Sequence, residues 1–565
     1  MSHAVDISPS EVPAWRFRSI GRFLYTQNPF YLLSCFLIIY GLQVATVSQG
    51  DLVSRSLLLA GGIGCYTLLM AMTSIGVIRL GKVWEDGRSI LLVVVVSLVA
   101  LSTALDELCL TDPSTAMTLA IGGLFGGVLT TEVVLRSCRI AFPFWYRASY
   151  YAMLLVFFAS PVLLGRAVAE RHDRLANAGS VIFSCGIAVA MLLLIPAIRR
   201  GRSSVRHNGT PWRWPLYPLS AFVVLLVLAG IRSHAIWLSF GFFGESFGFE
   251  PFLLLPMLFA MLVLAVESDV HRRTPVWSIG TLYVAPAMLL CGLGARGMTR
   301  LPIADDLQLV AGSATTITML SLTAFYAYAA LRGVRHSEHA LAGALIGTGL
   351  FAEISRPLQA AGIQSWVFVL LAALVYLLLA IRDWQSDLRW FAFAVLFSGA
   401  LALAGPSLGR PNVGYACSAV FLSGAMLAIG WLFDTAFARG LRRMAAGCLT
   451  LGAGVLVAWH LDRASDNRAV IGLLAASAVT LGYWWLTRRF AWIYVFTVQA
   501  TCLAVVVGQA WIEGGGIASV NVPLHSGMLC FAIGVMITAI KSGLGERLWP
   551  AVESSGRMGR FQMGL

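Results

Sequence analysis

The chain has 565 residues, of which 58% are hydrophobic and only 12% are charged. Soluble domains carry about 25% charged residues, so a soluble globular protein of this size is excluded, because its surface could not be covered. The net charge of +13 does not predict a nucleic-acid partner, since the basic residues form short clusters between apolar runs. That is the pattern of a membrane protein.

The cysteines give no sign of a metal site or a disulfide framework. The chain has 10 of them, and no two are closer than 28 residues in the sequence. A zinc site or a covalently attached haem needs cysteine and histidine at short spacings, and the sequence has no such motif. It therefore predicts no metal, no cofactor and no catalytic residue, and the cysteines are interpreted as small apolar side chains.

Residues 1–29 precede the first apolar run and are predicted to form a cytoplasmic N-terminal segment. Arg16, Arg18 and Arg22 lie there among aromatic side chains. This mixture is typical of a short helix in the membrane interface. A cleaved signal peptide is not expected, because the apolar run starts late and no small-residue cleavage site follows it.

Apolar runs long enough to cross a bilayer as helices, about 20 residues each, then follow one another along the chain. They lie at 30–48, 56–78, 89–108, 114–135, 148–165, 178–198, 214–231, 251–268, 276–294, 309–331, 340–354, 363–381, 388–404, 413–433, 443–460, 469–486, 490–511 and 522–540. These runs predict an all-α bundle of about 18 transmembrane helices over residues 30–540. No soluble domain is predicted, and residues 541–565 are expected to form a cytoplasmic tail.

The positions of the basic residues test whether successive spans cross the membrane in alternating directions. With a cytoplasmic N-terminus and alternating spans, 29 of the 40 lysine and arginine residues fall on the inner side, as the positive-inside rule requires. Both termini are therefore predicted to be cytoplasmic, and the arginine-rich composition favours a bacterial inner membrane. The inner loop 199–213 holds five of these arginines and is interpreted as an anchor for anionic lipid.

Two segments depart from a plain helical bundle. The run 340–354 is short and glycine-rich, but it is interpreted as a true span, because a re-entrant helix would reverse the charge bias of everything after it. The outer loop 232–250 is rich in phenylalanine. Irregular backbone at membrane depth is tolerated where it packs on protein or lines a cavity, so these segments are predicted to border the cavity if the protein handles a substrate. The alternatives are a buried short helix and an aromatic anchor. The predicted lining residues are Glu353, Gln359, Trp237 and Glu245.

Ionisable side chains in the middle of a span usually mark function, and the sequence shows none there. Glu132 is the deepest, and Arg136 four residues later predicts a local ion pair rather than a proton site. Gln499 lies in the middle of the run 490–511 and predicts either a hydrogen bond between helices or a further substrate contact. Five other ionisable residues are interpreted as solvated helix ends: Asp106, Glu107, Glu267, Asp434 and His460.

Three functions are compatible with these features. A transporter or flippase-like protein for a neutral or lipidic substrate is preferred, because the spans are many and the midplane charge needed for ion coupling is missing. A non-catalytic membrane subunit or scaffold needs only helix packing. A membrane-embedded transferase acting on a lipid-linked substrate would need outer-face carboxylates such as Asp106, Glu107 and Asp112, so an enzyme is not favoured. The sequence predicts no particular protein partner.

Overall fold

A computed structural model describes residues 30–47, 51–169, 173–201, 208–212, 216–239, 251–272, 275–292, 312–462 and 468–515. These residues form helices and the turns between them, with no strand among them. Thirteen of the described helices are long and apolar enough to cross a membrane. The chain is a multi-pass membrane protein, in which each helix satisfies its own backbone hydrogen bonds.

The first of two compact units comprises residues 1–368. Its described α-helices are α1 Phe30–Val47, α2 Leu52–Arg79, α3 Trp84–Thr103, α4 Asp106–Thr111, α5 Pro113–Ser137, α6 Phe144–Ala169, α7 Asp173–Leu192, α8 Ile195–Arg200, α9 Leu216–Ser239, α10 Leu255–Arg272, α11 Pro275–Val284, α12 Ala314–Leu331, α13 Ser337–Phe351 and α14 Arg356–Ala360. Two 3-10 segments, Pro251–Leu254 and Ala285–Gly292, adjoin α10 and α11. Consecutive helices pack in pairs, most closely α2 with α3, α6 with α7 and α12 with α13.

The second unit comprises residues 369–565. Its described helices are α15 Ser365–Arg382, which crosses the boundary, α16 Asp387–Ser407, α17 Pro411–Leu432, α18 Ala436–Asp462, α19 Arg468–Thr487 and α20 Ala491–Gly515. The α16–α17 hairpin is its tightest contact, because Gly405 and Gly414 bring the two backbones together: a Cβ added to Gly414 would lie 2.5 Å from the Gly405 Cα. Tyr483 and Trp492 pack edge to face at 4.6 Å between α19 and α20.

The helices agree with the predicted runs at most positions. In three of the predicted runs the described helices are α9 Leu216–Ser239, α10 Leu255–Arg272, and α11 Pro275–Val284 with its 3-10 continuation Ala285–Gly292. The doubtful run 340–354 forms α13, whose 15 residues extend about 22 Å, less than the thickness of a hydrocarbon core. The last run, 522–540, and the segment 1–29 lie outside the described residues.

Contacts between helix ends agree with the predicted alternation of the spans across the membrane. Two contacts join helix ends that are both predicted to lie on the outer side: the ion pair of Arg55 with Glu107 and the hydrogen bond from the Thr316 hydroxyl to the Glu353 carbonyl. Contacts between ends predicted to be inner are Arg79 with the Ser137 carbonyl, Ala141 with the Asn208 carbonyl and, in the second unit, Thr435 with Asp387. Within each unit these contacts are therefore consistent with the up-and-down order of the spans.

Left-handed backbone conformations mark several tight turns. The non-glycine residues with positive φ in the described chain are Lys82 (54°), Arg139 (54°), His336 (66°) and Arg488 (52°). All four lie in turns on the predicted inner side, which also contain the left-handed glycines Gly201, Gly209 and Gly333. In the described outer turns, the residues with positive φ are glycines: Gly312, Gly362 and Gly409.

Candidate functional site

A cavity of about 110 Å³ lies in the first unit, at the predicted inner ends of α3, α5 and α6. Its lining is almost entirely apolar. It consists of Arg88, Leu91, Leu92, Val94, Val95, Thr131, Val134, Leu135, Phe142, Tyr150, Trp212 and Ala221. Pockets for drug-sized ligands have volumes of about 300–1,000 Å³, so this cavity has room for one small apolar group rather than for a whole large ligand.

The cavity owes its shape to aromatic side chains from the turns around it. Trp212 packs edge to face on Trp84 at 5.6 Å, and Phe142 contacts the Tyr150 ring at 6.4 Å. The two hydroxyl groups at its wall are engaged, since the Thr131 hydroxyl donates to the Gly127 carbonyl at 2.8 Å and lies 3.3 Å from the Tyr150 hydroxyl. Arg88 is the charged residue in its lining.

Beside the cavity, Glu132 links α5 to α6. The predicted pair with Arg136 is present at 3.6 Å, although the Arg136 side chain is 83% exposed. Two partners were not predicted: Arg147 lies 3.3 Å from the carboxylate, and the Tyr151 hydroxyl donates to it at 2.7 Å. Arg147 also donates through Nε to the Phe142 carbonyl at 2.7 Å. The network fixes the turn that carries Phe142 into the cavity wall.

The interpretation of Asp106 as a solvated helix end is wrong. Arg232 on α9 donates two hydrogen bonds of 2.5 Å to its carboxylate, and the two residues are only 2% and 3% exposed. The pair is buried because α4 lies between neighbouring helices: a Cβ on Gly165 of α6 would lie 2.5 Å from the Cys109 Cβ. Glu107, by contrast, is half exposed in its pair with Arg55, as predicted.

The same interpretation is wrong for Glu267, which is fully buried. Arg199 of α8 donates to it through Nε and an Nη at 2.8 and 3.0 Å. Arg332, after α12, lies 2.7 Å away through Nε and donates through Nη2 at 3.0 Å. The Tyr328 hydroxyl also donates to Glu267. A single carboxylate thus joins three helix ends on the predicted inner side. Asp434 is exposed as predicted, and the His460 side chain lies outside the described residues.

Only some of the residues predicted to line a substrate cavity lie within the described structure. Glu353 and Gln359 are exposed near each other after α13, where the Gln359 amide donates to the Ile354 carbonyl at 2.8 Å. Trp237 lies on α9, but its side chain and all of Glu245 fall outside the described residues. The cavity that is described has none of these residues in its lining.

Gln499 is fully buried in the second unit. Its side-chain oxygen accepts a hydrogen bond of 2.8 Å from the Thr480 hydroxyl of α19, and among the described residues its Nε2 has no hydrogen-bond partner. Ser477, one turn before Thr480, is also buried, and its hydroxyl likewise has no partner among the described residues. The contact between α19 and α20 is the interhelical hydrogen bond that the sequence offered as one alternative.

Some signals in the sequence could have revealed the buried pairs. Residues 233–239 contain no glycine, proline or asparagine, so α9 continues well past Arg232 and places it inside a helix. Glu267 lies within the run 251–268 and is followed by the polar Ser268 and Asp269. Its burial depends on Arg199 and Arg332, which are far away in sequence, and a single sequence carries no signal for that pairing.

Outside the spans, two carboxylates cap helices. Hydrogen bonds from Thr115 and Ser114 hold the pKa of Asp112 at about 2, and hydrogen bonds from Ser54 lower the pKa of Asp51. These are N-cap contacts, which satisfy the free N–H groups at the first turns of α5 and α2. Among the described residues, no group of three histidine, cysteine, aspartate or glutamate side chains could hold a metal ion.

Comparison with known proteins found no matching family model, no matching curated protein and no matching solved structure. The features that bear on function are the apolar cavity beside Arg88 and the buried charge clusters around Asp106 and Glu267.

Proposed function

We propose that the protein binds and moves a lipidic substrate, in the manner of a transporter or flippase. The observation that carries this proposal is the apolar cavity at the predicted inner ends of α3, α5 and α6. An apolar lining favours a lipidic chain over a polar neutral solute, because polar groups lose hydrogen bonds to water when they enter such a cavity.

The position of the cavity fits an amphiphile of the inner leaflet. One apolar chain would enter between Val95 and Val134, and the polar head would stay near Arg88 at the helix ends. A guanidinium is a suitable group to contact a phosphate or carboxylate head. The further substrate contacts predicted at Glu353, Gln359, Trp237, Glu245 and Gln499 remain part of the proposal.

The proposal includes the topology: about 18 spans in a bacterial inner membrane, with both termini in the cytoplasm and anionic lipid at the inner face. It is supported by the positive-inside distribution of arginine. Alkaline phosphatase fused after Ile540 is expected to be inactive, because that enzyme folds only outside the cytoplasm. High phosphatase activity of this fusion would contradict the topology.

The transport step is tested with the purified chain in phosphatidylcholine vesicles that carry a trace of fluorescent phosphatidylglycerol. Dithionite bleaches only the label in the outer leaflet, so a protein that moves the lipid across the bilayer makes the inner-leaflet label accessible to bleaching as well. Val134→Phe fills the cavity and is expected to slow this exchange about ten-fold, equivalent to about 1.4 kcal/mol in the barrier. Because overpacking also destabilises, the thermal midpoint of each variant is measured in parallel.

The matched control is Val133→Phe, on the same helix turn. Val133 is 47% exposed and is not in the cavity lining, so its variant should exchange lipid at the rate of the unmodified protein. If only the outer-leaflet label is bleached in vesicles with the unmodified protein, or if both variants exchange lipid equally fast, the transport proposal is wrong.

A scaffold is the second candidate, and the buried hydrogen bond between Thr480 and Gln499 favours it for the second unit. Both side chains are fully buried, which suits a rigid helix bundle. A transferase has less support, because Asp106, Glu107 and Asp112 are already engaged by Arg232, by Arg55 and by the start of α5. Failure of lipid exchange in a well-folded preparation would favour the scaffold.

A further inference from the structure

The cluster around Glu267 carries more positive than negative charge. Arg199 and Arg332 both contact this carboxylate, so two guanidinium groups share one anion and a full positive charge is left over. Glu267 is completely buried, whereas the Arg199 side chain is 51% exposed and the Arg332 side chain 32% exposed. The surplus charge is therefore presented at the surface where α8, α10 and α12 end.

The contacts to Glu267 also fix the two guanidinium groups in place. Arg199 donates to the carboxylate through Nε and Nη2. Arg332 donates through Nη2, with its Nε 2.7 Å from the carboxylate, and the Tyr328 hydroxyl donates to the same carboxylate. A guanidinium has five N–H donors in a planar fork, so each keeps further donors for an exposed ligand. Side chains that are already ordered lose less entropy when they bind.

We infer that Arg199 and Arg332 form a binding site for the phosphodiester headgroup of an anionic phospholipid. Arginine forks match phosphate oxygens in geometry as well as charge, and basic pockets between transmembrane helices on the cytoplasmic side bind such headgroups. This site is separate from the cavity beside Arg88 and does not rest on the proposed transport function.

The surroundings favour a lipid over a soluble phosphate as the source of the headgroup. Leu331, directly before Arg332, is 87% exposed at the end of the apolar helix α12. An apolar side chain so exposed at the end of a membrane helix faces lipid chains. The site therefore offers an apolar surface and a paired cation next to each other, which is the chemistry of an anionic lipid.

The test uses the full chain in detergent, titrated with phosphatidylglycerol or with phosphatidylcholine of the same acyl chains, with the thermal midpoint as readout. Phosphatidylglycerol is expected to raise the midpoint at concentrations where phosphatidylcholine has no effect. Arg199→Gln removes the surplus charge but leaves Glu267 paired with Arg332, so the protein should fold. Its apparent affinity for phosphatidylglycerol is expected to fall about ten-fold, as for the loss of one charge-assisted hydrogen-bonding group.

Arg200→Gln is the matched control, since it removes the same charge from the next residue, outside the Glu267 cluster. Its affinity should change less than about two-fold. If Arg199→Gln does not fold, Arg332→Gln tests the other arm of the site and should give the same ten-fold loss. An equal loss in Arg200→Gln, an equal response to both lipids, or competition by millimolar glycerol phosphate would overturn the inference.

Discussion

Arg232 and Asp106 form a two-fold hydrogen-bonded ion pair that is closed off from solvent, with both contacts at 2.5 Å. The residues are 126 positions apart in the sequence and join α4 to α9. In a buried pair each charge depends on the other, because a charge left alone in a medium of low dielectric constant is strongly destabilising.

The first prediction is that Asp106→Asn destabilises the protein by about 3–5 kcal/mol, the usual effect of removing one partner of a buried pair. Unfolding by SDS in mixed micelles gives the free energy. The control is Glu107→Gln, whose half-exposed pair with Arg55 spans 3.7 Å and should be worth at most about 1 kcal/mol. Equal losses for both variants would mean that the Asp106 pair is hydrated.

The second prediction compares the two arginines at Glu132. Arg147→Gln should destabilise the protein by about 1–2 kcal/mol, because it removes an ion pair and a hydrogen bond to the Phe142 carbonyl. Arg136→Gln should change stability by less than about 0.5 kcal/mol, since its side chain is 83% exposed and exposed helix pairs contribute little. Thermal unfolding of both variants decides the order, and a larger effect at Arg136 would contradict it.

The third prediction concerns the α16–α17 hairpin. Gly414→Ala places a Cβ 2.5 Å from the Gly405 Cα, and backbone cannot move aside as a side chain can. We expect a loss of about 1–3 kcal/mol and a weaker α16–α17 contact. On the same helix, a Cβ on Gly424 meets nothing within 4 Å, so Gly424→Ala should be neutral or stabilise by up to about 1 kcal/mol.

The fourth prediction is a pH dependence at the start of α5. The pKa of Asp112 is about 2 when the protein is folded, because Thr115 and Ser114 donate to its carboxylate, whereas an aspartate in an unfolded chain has a pKa of about 3.9. The lower folded pKa means that its stabilising effect is complete above about pH 4 and is lost as pH falls toward about 2. Asp112→Asn should remove this part of the acid-induced drop in thermal midpoint, and a parallel drop in both proteins would refute it.

Helix positions could be predicted from the sequence, because a span must bury its backbone polar groups in a run of apolar residues. The predicted run 413–433 illustrates the accuracy, because its helix α17 begins two residues earlier, at Pro411, and ends one residue earlier, at Leu432. Breaks inside a run were not predicted. The run 178–198 is divided between α7 and α8, and Pro196, which lacks an N–H, occupies the first turn of α8.

The sites were harder to predict than the helices, because they depend on how each helix is rotated about its axis. The local pair of Glu132 with Arg136 follows from spacing on one helix and is present. The partners Arg147 and Tyr151 of the same carboxylate come from the next helix, and Glu267 gathers its arginines from two other helices. Hydropathy records which residues enter the membrane and carries no information on which faces meet.

Four turns have a non-glycine residue in the left-handed conformation: Lys82, Arg139, His336 and Arg488. At such a residue an unstrained backbone and a positive charge are conflicting requirements. A non-glycine residue in this conformation costs about 1–2 kcal/mol, which glycine would avoid, yet three of these four residues carry a positive charge, which favours the cytoplasmic side of a membrane. Replacing Lys82 or Arg139 by glycine would remove the backbone strain of the turn. It would also remove a positive charge that biases the orientation of the neighbouring helices during membrane insertion. A substitution at these turns is therefore expected to trade the stability of the finished turn against the orientation of the helices on either side of it.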